Sequence, residues 1–292
     1  FATAIPQVVA LTPADQDTVV AVSDAGLTVT FDGELDDQAL SADDAVLVTR
    51  EGERIELRGA PLFDDENLTL RFEPTEGLRP GSRYEVTLSG HLGGPLRAAS
   101  DSGAYGWQFA TAIPQVVSLS PADRDTLVSV DDATLTVTFD GPLDERALTA
   151  AGTVRLFAEG RETPLTTPVF DAGALTLDMT PTAGLRPGTA YRVQIAADVR
   201  GPRVQEATVW TFVTEIPRVA STDPADGASI RAGNRRLEVR FSSTVDMAEV
   251  HPRNFRLSQA GSPILLAESE FLYDEESFTV SLGGGNRCWS CG

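Results

Sequence analysis

The sequence predicts an all-β chain, built as tandem β-sandwich modules of about seven strands each with Greek-key connections. Three observations predict it. The stretch FATAIPQVV occupies residues 1–9 and recurs at 109–117, with a weaker copy, FVTEIPRVA, at 212–220. Short runs of strictly alternating apolar and polar residues recur within each repeat, the pattern of half-buried strands. No run carries a helical period of useful length. Pro6, Pro114 and Pro217 mark repeat periods of 108 and then 103 residues. A period of that size is one domain and not one solenoid turn.

These marks divide the chain of 292 residues. Residues 1–5 match the end of a preceding module, 6–112 form a first module and 113–215 a second. Residues 216–292 form a third that is incomplete and ends in an atypical tail. A module of about 100 residues buries one core without a metal or disulfide.

Each repeat opens on a strand, Pro6 to Leu11 in the first, with proline at its start, where a missing N–H is tolerated. A polar P-A-D turn follows. Leu27, Val29 and Phe31 then alternate with Thr28 and Thr30. The second copy repeats this as Leu135, Val137 and Phe139, and the third as Leu237, Val239 and Phe241. One face stays apolar while the other changes freely, as a core face and a solvent face should. An acidic turn comes next (DGELDD, DGPLDE, SSTVDM), then short β-rich runs, and then LTLRF, LTLDM or FTVSL.

The most distinctive local feature is L-R-P-G-S-R-Y at 78–84, echoed by L-R-P-G-T-A-Y at 185–191. Pro-Gly forces a tight turn. A Tyr at the start of the next strand fits the tyrosine corner of an immunoglobulin-like (Ig-like) sandwich, with its ring in the core and its hydroxyl on upstream backbone. Tyr84 and Tyr191 take that role. Val86 and Val193 stand where an antibody domain carries its second Cys. The last strand, WQFAT or WTFVT, runs into Ile-Pro and the next module. With no Gly/Ser tract at the seam, the joint is expected to be short and stiff. After Leu282 the third copy reads GGGNRCWSCG, without the Tyr corner or the closing strands. As written, that module is expected to be marginal, because a sandwich cut there exposes core and edges.

Taken together, the Pro-x-Val seam, P-A-D turn, T-V-T-F strand, L-x-P-G-x-x-Y corner and closing F-x-T resemble bacterial Ig-like domains. The nearest kind is the module named after the surface-layer protein SbsA. The resemblance covers two full repeats and most of a third. It departs at Gln16 and Arg124, where such turns usually carry Gly, and past residue 282. It implies a secreted or envelope protein in which the modules are spacers, adhesive stalks or wall-associated parts, and it brings no catalytic residues. Similar modules also accompany secreted hydrolases and macroglobulin-like proteins, so an accessory region of a larger secreted enzyme or inhibitor is the main alternative.

Composition sharpens the functional reading. Asp plus Glu is 43 against 23 basic residues, a formal net charge of −20. Such a surface repels phosphate backbones and anionic headgroups, which argues against nucleic-acid and membrane-surface partners. No apolar run approaches a membrane span. The expected partner is a protein or cell-surface ligand, and the expected location is extracellular or in the cell envelope. All the basic residues are Arg. Without lysine there is no Schiff-base chemistry and no lysine isopeptide crosslink.

No catalytic, cofactor or metal residue is assigned, and the chain is read as non-enzymatic. His91 and His251 sit at unrelated repeat positions, outside any nucleophile or metal motif. Calcium is the one cofactor weighed. Asp15 and Asp17 recur as Asp123 and Asp125; Asp32, Glu34, Asp36 and Asp37 recur partly as Asp140, Asp144 and Glu145. Carboxylates converging at a joint suit a hard cation that takes six to eight oxygens, which makes a calcium-dependent binding module the second alternative. Against it, Asp favours turns, and the third copy keeps Asp226 but has Gly227 and Ala228 where the second Asp would stand. Cys288 and Cys291 have redox or zinc-knuckle spacing but no second pair, and read as an irregular tail. Trp107, Trp210, Tyr84 and Tyr191 read as core residues, not a sugar platform.

Overall fold

The computed structural model describes residues 6–24, 26–35, 40, 42, 44–89, 104–131, 133–229, 236–259, 261–267 and 271–283. The expected module end at 1–5, and Asp36, Asp37, His91, Cys288 and Cys291, lie outside the described residues. No described helix is long and apolar enough to cross a membrane.

The first repeat carries β1 (Val8–Thr12), β2 (Leu27–Phe31), β3 (Val46–Arg50), β4 (Glu53–Ile55), β5 (Leu62–Asp64), β6 (Thr69–Phe72), β7 (Arg83–Leu88) and β8 (Tyr105–Ala110). They form two antiparallel sheets, β1-β2-β6-β5 and β4-β3-β7-β8. The chain leaves β1 at the cis bond Thr12-Pro13 and reaches the other sheet, where Val20 bridges Thr111 in parallel. The second repeat follows the same course. It has β9 (Val116–Ser120), β10 (Asp125–Val128), β11 (Leu135–Phe139), a one-turn helix α1 (Glu145–Leu148), β12 (Val154–Ala158), β13 (Arg161–Thr163), β14 (Val169–Asp171), β15 (Thr176–Met179), β16 (Ala190–Ile195) and β17 (Thr208–Thr214). Its sheets are β14-β15-β11-β9 and β10-β17-β16-β12-β13. These are tandem Ig-like sandwiches. The count exceeds seven because the hairpin strands β4 and β13 are paired, and because β10 splits off the opening strand and joins the second sheet.

Period-two alternation puts Leu27, Val29 and Phe31 into the core at 2% exposure or less, and Leu135, Val137 and Phe139 likewise. Facing them are Val86, Leu88, Trp107 and Phe109 in the first repeat. Val193, Ile195, Trp210 and Phe212 face them in the second. Trp107, Trp210, Tyr84 and Tyr191 are all buried, as expected of core residues. Tyr84 stacks on Phe109 and Tyr191 on Phe212, each with ring centroids 5.2 Å apart.

The third repeat has β18 (Val219–Asp223), β19 (Leu237–Phe241), β20 (Leu257–Gln259), β21 (Ser262–Ile264), β22 (Phe271–Asp274) and β23 (Thr279–Leu282). One sheet is complete, β18-β19-β23-β22; opposite it, among the described residues, stands only the β20-β21 hairpin. Leu237, Val239 and Phe241, whose counterparts are buried, are therefore half-buried here.

The tyrosine corner is formed in both complete repeats. The Tyr84 hydroxyl accepts the Arg79 N–H at 2.7 Å, and Tyr191 accepts Arg186 N–H at 2.8 Å. The closing F-x-T has its own physical role. Thr111, fully buried, donates its hydroxyl to the Arg79 carbonyl at 2.5 Å and accepts the Ser82 N–H at 2.9 Å. Thr214 makes the same two bonds to Arg186 and Thr189. Replacing Thr111 by Val keeps the shape but strands these backbone groups, a loss of about 1–3 kcal/mol. Denaturant unfolding of Thr111→Val should show that loss. Tyr84→Phe should fall in the same range, and an unchanged midpoint for both would refute the role given to the corner.

Candidate functional site at the first joint

The seam is shorter than the sequence suggests. Gly81 N–H donates to the Ala112 carbonyl at 2.9 Å, and Ala112 N–H to Val20, so residues up to 112 belong to the first sandwich. On the other side, Gln115 N–H donates to the Asp140 carboxylate at 2.6 Å, and buried Pro114 packs on Gly141. Ile113 is left as the linker. One residue has two soft backbone dihedrals, so contacts across the joint set how far the two modules reorient.

The second module also reaches back. After β16 the chain makes a 3-10 turn, Ala197–Arg200, anchored by fully buried Val199, whose carbonyl accepts the Asp144 N–H at 2.8 Å. The turn ends at Gly201 with φ 112° and presents its backbone to the Pro80–Gly81 corner of the first module. A Cβ on Gly81 would strike the Arg200 carbonyl oxygen; one on Gly201 would lie 2.6 Å from the Gly81 Cα. Both positions therefore require glycine for close approach as well as for positive φ. Arg203 completes the contact, its N–H donating to the Gly81 carbonyl at 3.2 Å and its guanidinium to the Thr111 carbonyl at 3.1 Å.

Beside this backbone contact lies an ionic cluster. Glu76 receives Arg79 at 2.8 Å, lies 3.8 Å from Arg50, and binds Arg146 of the second module. Arg79 lies 3.9 Å from Asp144, which also caps α1 by accepting the Arg146 N–H. The Glu76 carboxyl is held below the usual glutamate range, chiefly by the hydrogen bond from Arg146 and further by that from Arg79.

The acidic turns have other partners. Asp15 accepts the Gln108 N–H, 93 residues away, and Asp123 accepts the Thr211 N–H, 88 residues away. They pin the P-A-D turn to the closing strand. Asp17 and Asp125 accept the N–H two residues on, from Val19 and Leu127. Asp32 and Asp140 hold the opening strand through Gln7 and Gln115, a job Ser242 does for Arg218 in the third repeat. Glu34 and Asp226 are exposed, and Glu145 sits in the first turn of α1. Among the described residues no three His, Cys, Asp or Glu side chains are grouped to hold a metal. His251 accepts the Arg253 N–H at the start of a short 3-10 turn.

Of the acids singled out in the sequence, only Asp144 belongs to the joint's ionic cluster, with Glu145 next to it on α1. Glu76, Arg146, Gly201 and Arg203 were not singled out, and Arg79 entered only as part of the L-R-P-G-S-R-Y corner. A signal for part of the set was available by subtracting one repeat from the other, because Glu76 corresponds to Ala183 and Arg146 to Ala248.

A family model described as bacterial Ig-like domain matches residues 2–111 and again 110–214. No curated protein matches the chain. Among solved structures, the N-terminal part of the bacterial S-layer protein SbsC is similar at 15% identity, with TM-score 0.27, over 71% of this chain and 44% of that one. The chain thus spans less than half of that structure. Titin domains A168–A170 are similar at 8% identity and TM-score 0.33, over 96% of this chain and 88% of theirs. The titin I9–I11 tandem gives 10% and 0.32, over 97% and 90%.

Two outcomes are expected at this joint. In Gly201→Ala the sandwich cores persist, but the Arg203 amide should lose its protection from hydrogen exchange; unchanged protection would contradict the docking. Because the folded-state value of Glu76 is depressed, its contribution is complete above the ordinary glutamate value near about pH 4.3. That contribution is lost as pH falls through the lowered value. An NMR titration should give Glu76 a midpoint below that of exposed glutamates, and Arg146→Ala should return it towards the ordinary range.

Proposed function

Because the chain belongs to the bacterial Ig-like domain family, we propose that it is a non-catalytic repeat region of a bacterial cell-surface or secreted protein, acting as a stiff spacer or interaction stalk. The observation that carries this reading is the Gly81–Gly201 backbone contact across the first joint. Domains joined by small polar contacts normally move relative to one another. Here the contact is between backbones, which cannot rearrange as side chains do. A spacer holds a neighbouring part at a fixed distance, and it needs this kind of joint.

Composition supports the same reading. A net charge of −20 keeps an extended chain soluble and discourages adhesion to anionic surfaces. The calcium-dependent alternative requires turn carboxylates to leave backbone partners or to share them with a cation. Thermal unfolding with millimolar Ca²⁺ and then with chelator separates the two, since a bound cation raises the melting temperature.

The test of the spacer is the relative motion of the first two sandwiches in the full chain. Residual dipolar couplings from residues 8–110 and 116–214 should fit one alignment tensor. Two tensors of clearly different magnitude would mean independent tumbling and would end the spacer reading.

A further inference from the structure

The two joints share a seam motif but not a lock. At the first, Glu76, Arg79, Asp144 and Arg146 form the ionic cluster that spans the modules. At the corresponding positions of the second stand Ala183, Arg186, Asp246 and Ala248, so the acid and the base that bridge most closely are both alanine. Arg50, which backs Glu76, corresponds to Ala158. The corner glycine is retained as Gly188, yet what packs on it is Ile216 of its own seam, 3.2 Å from where a Cβ would lie. Across the second joint the Thr244 hydroxyl donates to the Asp131 carboxylate at 2.9 Å, an exposed bond.

The linkers differ in burial. Ile113 is half-buried and Pro114 buried at the first seam. Ile216 is 71% exposed at the second, and Pro217 is half-buried. Among the described residues, the flanking modules do not close over Ile216.

We propose that the chain is segmentally stiff: the first joint is locked by the Glu76–Arg79–Asp144–Arg146 cluster, and the second, which lacks the cluster, is a pivot. The proposal rests on the spacer reading and adds where the spacer bends. A hinge absorbs motion in a few terminal residues between bodies that stay rigid; Ile216 and its neighbours are those residues. The third module then sweeps a range of orientations relative to a rigid pair. That arrangement suits a region that must present its end to partners at varied angles. Because its closest pair, Glu76 with Arg146, is exposed, salt weakens the lock.

Distances between spin labels on the full chain test this. With Cys288→Ser and Cys291→Ser as background, labels go on Leu62→Cys with Val169→Cys across the first joint. Val169→Cys with Leu272→Cys spans the second. The three sites are equivalent in register and 64–72% exposed. The expected result is a narrow distribution for the first pair and a broad one for the second. Glu76→Ala with Arg146→Ala should broaden the first; Ala183→Glu with Ala248→Arg should narrow the second. Two narrow distributions in the parent chain would overturn the pivot while leaving the spacer reading intact. Two broad ones would overturn the spacer reading itself. Widths that ignore both pairs of substitutions would overturn the ionic lock.

Discussion

The backbone of Arg79 is the point on which the rest depends. Its N–H is taken by the Tyr84 hydroxyl and its carbonyl by the Thr111 hydroxyl, so both polar groups are satisfied from inside the sandwich. Neither partner is free to move. Tyr84 is clamped by stacking on Phe109, and Thr111 is fully buried at the end of the closing strand. Aromatic stacking of this kind adds about 0.5–1.5 kcal/mol beyond the area it buries. The corner is therefore held to a single geometry, and Pro80 and Gly81 are presented at a defined place on the module's end.

That fixed corner allows a joint to be built on backbone. A carbonyl can rest against a glycine Cα only if both chains arrive at reproducible positions, since an error of a few tenths of an ångström turns contact into collision. The same two residue types, a threonine closing one sandwich and a glycine in its corner, thus serve the core and the joint together. The Thr111 carbonyl carries the link outward, accepting Arg203 while its hydroxyl faces in. Core packing and joint geometry are one connected system in this chain.

The acids divide along physical lines. Asp15 and Asp123 in the P-A-D turn, and Asp32 and Asp140 after the T-V-T-F strand, each accept a backbone N–H from a segment distant in sequence, and so act as fasteners. Glu76 and Asp144 meet arginines across a boundary, where charge is partly withdrawn from water. Sequence counting treats both groups alike. In the two complete repeats Asp15, Asp17 and Asp32, with Asp123, Asp125 and Asp140, accept backbone N–H groups, while Asp144 meets an arginine.

Much of the fold was legible because its causes are local. Period-two alternation is written into Leu27, Val29 and Phe31, the tyrosine corner into Leu78 to Tyr84, and the repeat into the seam itself. The sequence by itself determined the sandwich class, the core-facing aromatics, and the third copy's departure from the pattern. Tertiary structure alone decided that β10 crosses to the second sheet and that Asp15 reaches a strand 93 residues away. It also decided that Gly81 meets Gly201 and that Glu76 meets Arg146, 70 residues on. Those contacts join segments whose separation follows no local period. They depend on how one finished module is set against the next, which no window of residues encodes.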